Sequence, residues 1–208
     1  MTDALIDVPK LVALHDELVA RWHEVSMARE RDESVANSGQ EALLGAILDN
    51  HARNFELWHE EDQARDPQAG DAAIARVKRA IDGLNQARNN AMERVDEQVL
   101  ARLPDHQASQ TLPLHSETVG SIVDRLSILS LKRFHMNEQA ERSDTDQAHR
   151  ASCRDKLAVL NEQRRDLAHA LAALLEDLRA GRKGFKVYRQ MKMYNDPSLN
   201  PVLYGKEK

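Results

Sequence analysis

Several common features of protein sequences are scarce in this chain of 208 residues. A single cysteine, Cys153, excludes an intrachain disulfide framework and any zinc site built from several thiolates. Eight glycines and six prolines are fewer than average usage predicts, which argues against turn-rich β architectures. No apolar run approaches the roughly 18 residues that a membrane span requires, and the first residues are acidic where a signal peptide has Lys or Arg. We therefore expect a soluble, cytoplasmic protein.

Basic residues are also in deficit, because 29 Lys and Arg face 34 Asp and Glu and give a net charge of −5. A generic nucleic-acid-binding surface is therefore not expected. The charge is unevenly divided along the chain. Residues 181–208 carry a net charge of +5, which leaves −10 on residues 1–180. This division predicts a basic tail that wraps an acidic body.

The residues that are abundant, alanine and leucine, favour helices. Apolar residues recur at spacings of three and four, which is typical of amphipathic helices, over about residues 9–29, 38–65, 71–103, 118–141 and 146–179. The fourth segment is apolar on nearly all sides and is expected at the centre. We predict an all-α fold, a single domain over residues 1–208 in which a bundle of about five helices carries an irregular basic tail, 181–208.

Local signals place the starts of these helices. Pro9 suits a first turn, and Ser38 with Glu41 forms a capping-box pattern. Asp71 is expected to cap the third helix. The fifth segment has near-heptad spacing of its leucines, so its apolar seam packs within the chain or forms a homodimer contact.

Polar side chains lie on a face of the second helix that also carries a tryptophan. The candidates for ligand binding there are Asn54, Trp58, Glu61 and Asp62. Burial of amides and carboxylates costs free energy unless they have hydrogen-bonding partners. Their presence beside a tryptophan therefore favours a role in ligand binding for this face. The alternative is a solvated helix end with a Glu61–Arg65 pair.

The third helix carries a ribbon of short polar residues beside its apolar stripe. Its candidates are Asp82, Asn85, Arg88 and Asn89. Asp and Asn are poor helix formers, so their concentration here suggests a buried network or a binding role. A solvated face is the alternative explanation.

The otherwise apolar fourth helix supplies the ligand-binding candidates Asp124, Arg125, Lys132 and His135, whose burial requires compensating partners. In the tail, the candidates for anion binding are Tyr188, Arg189, Lys192, Tyr194 and Asn195. Each set also has a structural explanation. The residues of the fourth helix can form a buried salt-bridge network, and the tail can be a basic strap that neutralises the acidic bundle.

Metal chemistry and catalysis are left open by the sequence. Glu61, Asp62, Asp82 and Asp124 are oxygen donors of the type that Mg²⁺ prefers. The chain has no HExxH motif, no Gly-rich phosphate loop and no GxSxG elbow, so it indicates no particular reaction.

Four segments together resemble a known family. They are NFELWHEED, KRAIDGLNQARN, ETVGSIVDRLSILSLKRFHM and KVYRQMKMYNDPSLNP, and they fall within about residues 50–204. In this order they resemble the bacterial family catalogued as domain of unknown function 4254. The resemblance implies a mainly helical fold and no established reaction. It also implies a connection with genes for lipopolysaccharide or other envelope-polysaccharide synthesis.

Two functional hypotheses follow. In the first, the bundle core holds a pocket for a phosphorylated small molecule or a nucleotide-linked sugar. The basic tail then contacts the anion, and the carboxylates contact hydroxyls or Mg²⁺. In the second, the protein is a non-catalytic accessory partner of a glycan-assembly enzyme such as a glycosyltransferase, and the polar network is structural.

Overall fold

A computed structural model of the protein describes residues 5–25, 42–103, 112–193 and 196–205. Within these ranges the chain forms helices and no sheet, and an isolated bridge joins Leu114 to Gly184. The helices are α1 (Val8–Glu24), α2 (Ala42–Gln63), α3 (Asp71–Leu100), α4 (Val119–Glu141), α5 (Gln147–Arg179) and the short α6 (Pro201–Tyr204). The predicted all-α bundle is confirmed. The extent of the domain over the whole chain stays a prediction.

Capping residues set the helix boundaries. Asp7 accepts a hydrogen bond from the Lys10 amide, Thr118 forms a capping box with Ser121, and Asp146 caps α5. The assignment of Asp71 as a cap was wrong: Gly70 is the cap, and Asp71 is the first helical residue, where its charge suits the helix dipole.

Three helices end earlier than their apolar patterns predict. α1 ends at Glu24, α2 at Gln63 and α3 at Leu100, instead of near residues 29, 65 and 103. Periodicity alone does not mark the residue at which a helix stops, because the apolar spacing can continue beyond the last helical residue. The predicted Ser38–Glu41 capping box lies outside the described residues.

The central position expected for α4 is confirmed. This helix contacts α1, α2, α3 and α5, while α2 packs most extensively on α3. Its buried side chains include Ile122, Val123, Leu126 and Leu131. The main core cluster combines these helices with the apolar faces of α1 and α5. A helix surrounded in this way can supply polar side chains to several neighbours.

A close contact fixes α4 against α3. The Gly120 amide donates a hydrogen bond to Asp96 Oδ1 at 2.6 Å, and a Cβ atom at Gly120 would lie 2.3 Å from the Met92 carbonyl oxygen. Only glycine permits this approach, because that carbonyl belongs to helix backbone and cannot move aside.

The tail leaves the bundle after α5 and returns across it. Gly181 has a φ of 66°, and Phe185 is buried in the main core. Arg182 and Lys183 pair with Asp177 on α5. As predicted, the first part of the basic tail is irregular and packs on the acidic bundle, whereas Pro201–Tyr204 forms α6 and has no buried residue. Among the helices of the described ranges, none has the length and hydropathy needed to cross a membrane.

We expect Gly120→Ala to lower the free energy of unfolding by about 2–4 kcal/mol, because the added methyl forces α3 and α4 apart. Gly83→Ala is the matched control within α3, since its Cβ position has no neighbour within 4 Å. That change should stabilise by about 0.5–1 kcal/mol. Urea denaturation measures both, and equal effects would contradict the assigned contact.

Candidate functional site

A cleft of about 440 Å³ opens between α2, α3 and α4. Its size is typical of small-molecule sites. Polar, charged and aromatic side chains from α2 and α3 face apolar ones from α4. The lining residues are Asn54, Leu57, Trp58, Glu61, Asp62, Arg65, Asn85, Arg88, Ile128 and Leu131.

A buried carboxylate lies beside the polar wall of this cleft. Asp124 is 2% exposed, and its Oδ1 accepts hydrogen bonds from the Asn50 and Asn54 amides, each at 2.9 Å. Arg88 binds the same carboxylate through Nε at 2.7 Å and Nη2 at 2.5 Å. The carboxylate therefore has a charged partner from α3 and amide donors from α2, as burial of an ion requires.

Arg88 connects this buried carboxylate to the cleft. Its side chain is 26% exposed, and it lines the cleft while it holds Asp124. The hydrogen bonds to Asp124 raise the pKa of the guanidinium above its ordinary value. Because Nε and Nη2 are bound to Asp124, Nη1 is the nitrogen that the described residues leave for a ligand.

The network continues from Asn54 toward α1. Asn54 Nδ2 donates to Ser127 Oγ at 3.0 Å, and Ser127 Oγ lies 2.7 Å from His51 Nδ1. His51 Nε2 lies 3.1 Å from the carbonyl oxygen of His15. A carbonyl only accepts, so the proton is on Nε2, and Nδ1 accepts from the serine hydroxyl.

Two buried histidines stack at the end of this network. The rings of His15 and His51 lie 4.3 Å apart, and both residues are 0% exposed. Burial lowers the pKa of His51 to about 4, against weaker opposing effects from the His15 backbone hydrogen bond and Asp16. Burial, followed by His51 and Arg164, lowers the pKa of His15 well below its ordinary range. Both rings are therefore neutral at neutral pH.

The structure brings seven of the predicted residues together. Six line the cleft and the seventh, the buried carboxylate, lies beside them: Asn54, Trp58, Glu61, Asp62, Asn85, Arg88 and Asp124. These residues come from α2, α3 and α4. Their assignment to ligand binding stays a prediction.

Other predicted residues lie elsewhere on the bundle. Asp82 is exposed on α3 and pairs with Lys78 at 2.5 Å. Asn89 is buried but does not line the cleft, and Arg125 forms an exposed pair with Glu117. These helices therefore divide their polar residues between the cleft and the solvent.

Lys132 and His135 line a neighbouring groove of about 540 Å³ between α4 and α5. Trp58 belongs to both depressions, and its ring stacks on His135 at 4.7 Å with an interplanar angle of 8°. Trp58 is therefore a wall between the polar cleft and this second groove.

The tail does not reach the cleft within the described residues. Arg189 donates to Glu93 at 2.8 Å and also pairs with Glu97, which places it along the exposed side of α3. Tyr188 is exposed and Lys192 is half-buried, and neither lines the cleft. Tyr194 and Asn195 lie outside the described residues. The expected meeting of the tail and the middle helices at one cavity is thus not observed, because α3 offers its carboxylates at another face.

Sequence reasoning missed several participants in the site. Asn50 and Ser127 hold the network together, and Leu57, Ile128 and Leu131 form apolar parts of the wall. Asn50 precedes Asn54 by four residues and Ser127 follows Asp124 by three. Helical spacing to the candidates already chosen was therefore the available signal.

The four carboxylates considered for Mg²⁺ do not come together. Asp124 is bound by Arg88, and Asp82 by Lys78. In the parts of the chain that the structure describes, no group of three or more His, Cys, Asp or Glu side chains is arranged to hold a metal ion. Glu61 and Asp62 remain the carboxylates that line the cleft.

The fold and this site define an all-α bundle protein with a polar cleft walled by three helices. The chain belongs to the family described as "Protein of unknown function (DUF4254)", whose model matches residues 45–187. This range contains α3, α4 and α5 and nearly all of α2, but ends just after the start of the fourth segment quoted above. No curated protein and no solved structure matches the chain.

The buried ion pair should show strong coupling in unfolding experiments. Arg88→Gln leaves Asp124 as a buried charge without its cation, which costs about 3–5 kcal/mol. Adding Asp124→Asn removes that charge and keeps hydrogen-bonding groups, so the double variant should recover more than 1 kcal/mol. Arg125→Gln, in an exposed pair, should cost less than about 1 kcal/mol. Equal losses in the single and double variants would contradict charge compensation.

Acid should destabilise the protein below pH 6.5. The native pKa values of His15 and His51 lie below those of the unfolded chain, so the unfolded state gains protons first and stability falls as pH decreases toward 4. Asp96 acts oppositely, because burial raises its native pKa to about 6 and protonation then favours the native state. Between pH 6.5 and 4 the His51 and Asp96 contributions therefore oppose each other, while His15 adds to the destabilisation by acid.

Urea denaturation at several pH values between 7 and 4.5 tests this balance, because it measures how the free energy of unfolding changes with pH. His15→Leu should flatten the pH dependence because it removes a ring that takes up a proton on unfolding. The change breaks no hydrogen bond of the ring, since neither ring nitrogen of His15 has a partner among the described residues. The exposed His169 serves as the control, and His169→Ala should leave the slope unchanged. An unaltered slope in His15→Leu would refute the assignment.

Proposed function

We propose that the protein binds a phosphorylated or nucleotide-linked sugar in the cleft between α2, α3 and α4. The observation that carries this proposal is the arrangement of Arg88, whose Nε and Nη2 are held by buried Asp124 while its side chain lines the cleft. A guanidinium held by a carboxylate is preorganised to bind a phosphate oxygen, and little side-chain entropy is lost on binding.

The remaining lining residues suit the other parts of such a ligand. Trp58 offers an aromatic surface for a sugar ring or a base, and Glu61 and Asp62 offer acceptors for hydroxyl groups. Asn85 supplies both a donor and an acceptor. The mixture of one aromatic wall and convergent polar groups is typical of sites that orient a small polar ligand.

The polar network has a physical rationale under this proposal. A buried ion pair adds little stability compared with apolar residues of similar size, because desolvation offsets the attraction. The Asp124 network is therefore weak support for a purely structural role. It is well suited to hold Arg88 and Asn54 in one orientation. The resemblance of the sequence suggests envelope-glycan synthesis, for example of lipopolysaccharide, as the setting.

A second candidate function is that of an accessory protein for a glycan-assembly enzyme. The observation that favours it is that two arginines predicted to bind a ligand form salt bridges within the chain instead. Arg189 is bound by Glu93 and Glu97, and Arg125 by Glu117. These pairs stabilise one conformation and leave fewer cations for a ligand. Under this alternative, the cleft is a feature of packing and binds no small molecule.

Melting-temperature shifts with a panel of sugar phosphates, nucleotide sugars and free nucleotides, each with and without Mg²⁺, distinguish the two functions. A ligand at about 100 times its dissociation constant adds about 2.7 kcal/mol to stability. Arg88→Lys and Asn85→Ala should abolish the shift, since each removes a group at the cleft wall. A flat panel, together with co-purification of a glycosyltransferase, would favour the accessory function.

Matched controls come from the exposed side of α3. Arg79→Lys repeats the arginine change, and Asn90→Ala repeats the asparagine change, on exposed residues that do not line the cleft. Both controls should keep the full melting-temperature shift. A shift that survives in Arg88→Lys and Asn85→Ala would mean that the ligand binds elsewhere and would contradict the proposed site.

A further inference from the structure

Large apolar side chains are exposed at unusual density near the end of the chain. Of the ten exposed large apolar residues in the described ranges, seven lie between residues 188 and 204. Their exposures run from 46% to 85%, with Met191 the most exposed. We call them the C-terminal apolar surface: Tyr188, Met191, Met193, Leu199, Val202, Leu203 and Tyr204. Concentrated exposure of this kind is typical of an interaction surface.

This segment is ordered by its own local contacts. The Asp196 carboxylate accepts from the Ser198 amide and hydroxyl, and the Asn200 side chain caps α6 by accepting from the Val202 amide. Upstream, Arg189 and the Gln190 amide bind Glu93 on α3. The backbone is thus fixed while no residue of α6 is buried. Its apolar side chains are held in place without any covering from the described residues.

Basic residues accompany the apolar ones. Lys186 is exposed and Lys192 is half-buried, and the salt bridges of the described residues give neither a carboxylate partner. Arg182, Lys183 and Arg189 of the same tail are already bound by carboxylates of α5 and α3, so the positive charge that accompanies the apolar residues comes from Lys186 and Lys192. The counterpart of this surface therefore combines an apolar interior with negative charge. The acidic bundle opposes such a contact weakly, because its charges are screened beyond about 8–10 Å at physiological ionic strength.

The spacing of the apolar residues distinguishes a protein partner from a lipid bilayer. A protein groove that binds a helix or a strand reads a regular period of 3.6 or 2. Positions 199, 202 and 203 have helical spacing, but positions 188, 191 and 193 lie before α6 and do not continue it, so the whole set follows no single period. A lipid bilayer requires no register and accommodates tyrosines and lysines at its headgroup level.

We propose that the C-terminal apolar surface binds a bilayer surface that contains anionic lipids. The apolar side chains enter the headgroup boundary, and Lys186 and Lys192 contact lipid phosphates. The bundle stays in water, and its cleft remains open. This contact is peripheral and is independent of the ligand proposed for the cleft.

Vesicle co-sedimentation of the full chain tests the proposal. The bound fraction should be low on phosphatidylcholine vesicles, rise when phosphatidylglycerol is included, and fall again as salt is added. The triple variant Met191→Ser, Val202→Ser, Leu203→Ser should lower the apparent affinity about tenfold or more. Lys186→Glu with Lys192→Glu should remove the dependence on phosphatidylglycerol.

Val159→Ser is the matched control, because Val159 is 51% exposed on α5, away from this surface. It should bind vesicles like the unaltered chain, and all variants should keep its melting temperature. Equal vesicle binding by the triple variant and the unaltered chain, or no binding to either vesicle type, would overturn the proposal. A lipid-free change of oligomeric state in the triple variant alone would also overturn it, since it would assign the surface to contact between copies.

Discussion

The carboxylate of Asp124 is nearly inaccessible to water in the helix that contacts all the other long helices, so its charge has to be balanced locally. Arg88 supplies the opposite charge from α3, and Asn50 and Asn54 supply amide donors from α2. This arrangement fixes the three helices in a single register, because any slip would separate a buried ion from its partners. The cleft lies where these helices meet, and Asn54 and Arg88 belong both to its lining and to this network.

The network also shows how burial fixes the orientation of a side chain at the cleft. Apolar packing alone would hold the bundle together at no desolvation cost, as it does in the main core. The polar groups add an orientation that apolar residues do not specify. Arg88 is restrained on one side and open on the other. The fold thereby presents a charged group to the cleft without relying on a mobile surface side chain.

Charged groups are arranged differently around the cleft and at the end of the chain. Around the cleft, opposite charges are matched between helices, and the buried histidines on α1 and α2 remain neutral. At the end of the chain, the first basic residues of the tail bind carboxylates of α5 and α3. The later residues have fewer partners and present apolar side chains to solvent. The tail is therefore anchored near the bundle and open beyond it.

The sequence predicted the helices well because their determinants are local. Apolar spacing is read within a few residues, and the predicted starts near residues 118 and 146 coincide with the caps Thr118 and Asp146 of the structure. It predicted the polar face of α3 only broadly. Asp82 and Asn85 differ by about 60° around the helix axis, yet the first pairs with Lys78 in solvent and the second lines the cleft. Periodicity does not resolve such a difference.

The sequence by itself determined the helical class, the approximate limits of the five long helices, the basic tail and the residues able to form a polar site. The tertiary structure decided which of those residues meet. The position of α3 against α4 depends on the close approach at Gly120, a contact between residues far apart in the chain. Since helix-face patterns carry no information about such crossings, only the packed bundle separates the cleft residues from those that face the solvent.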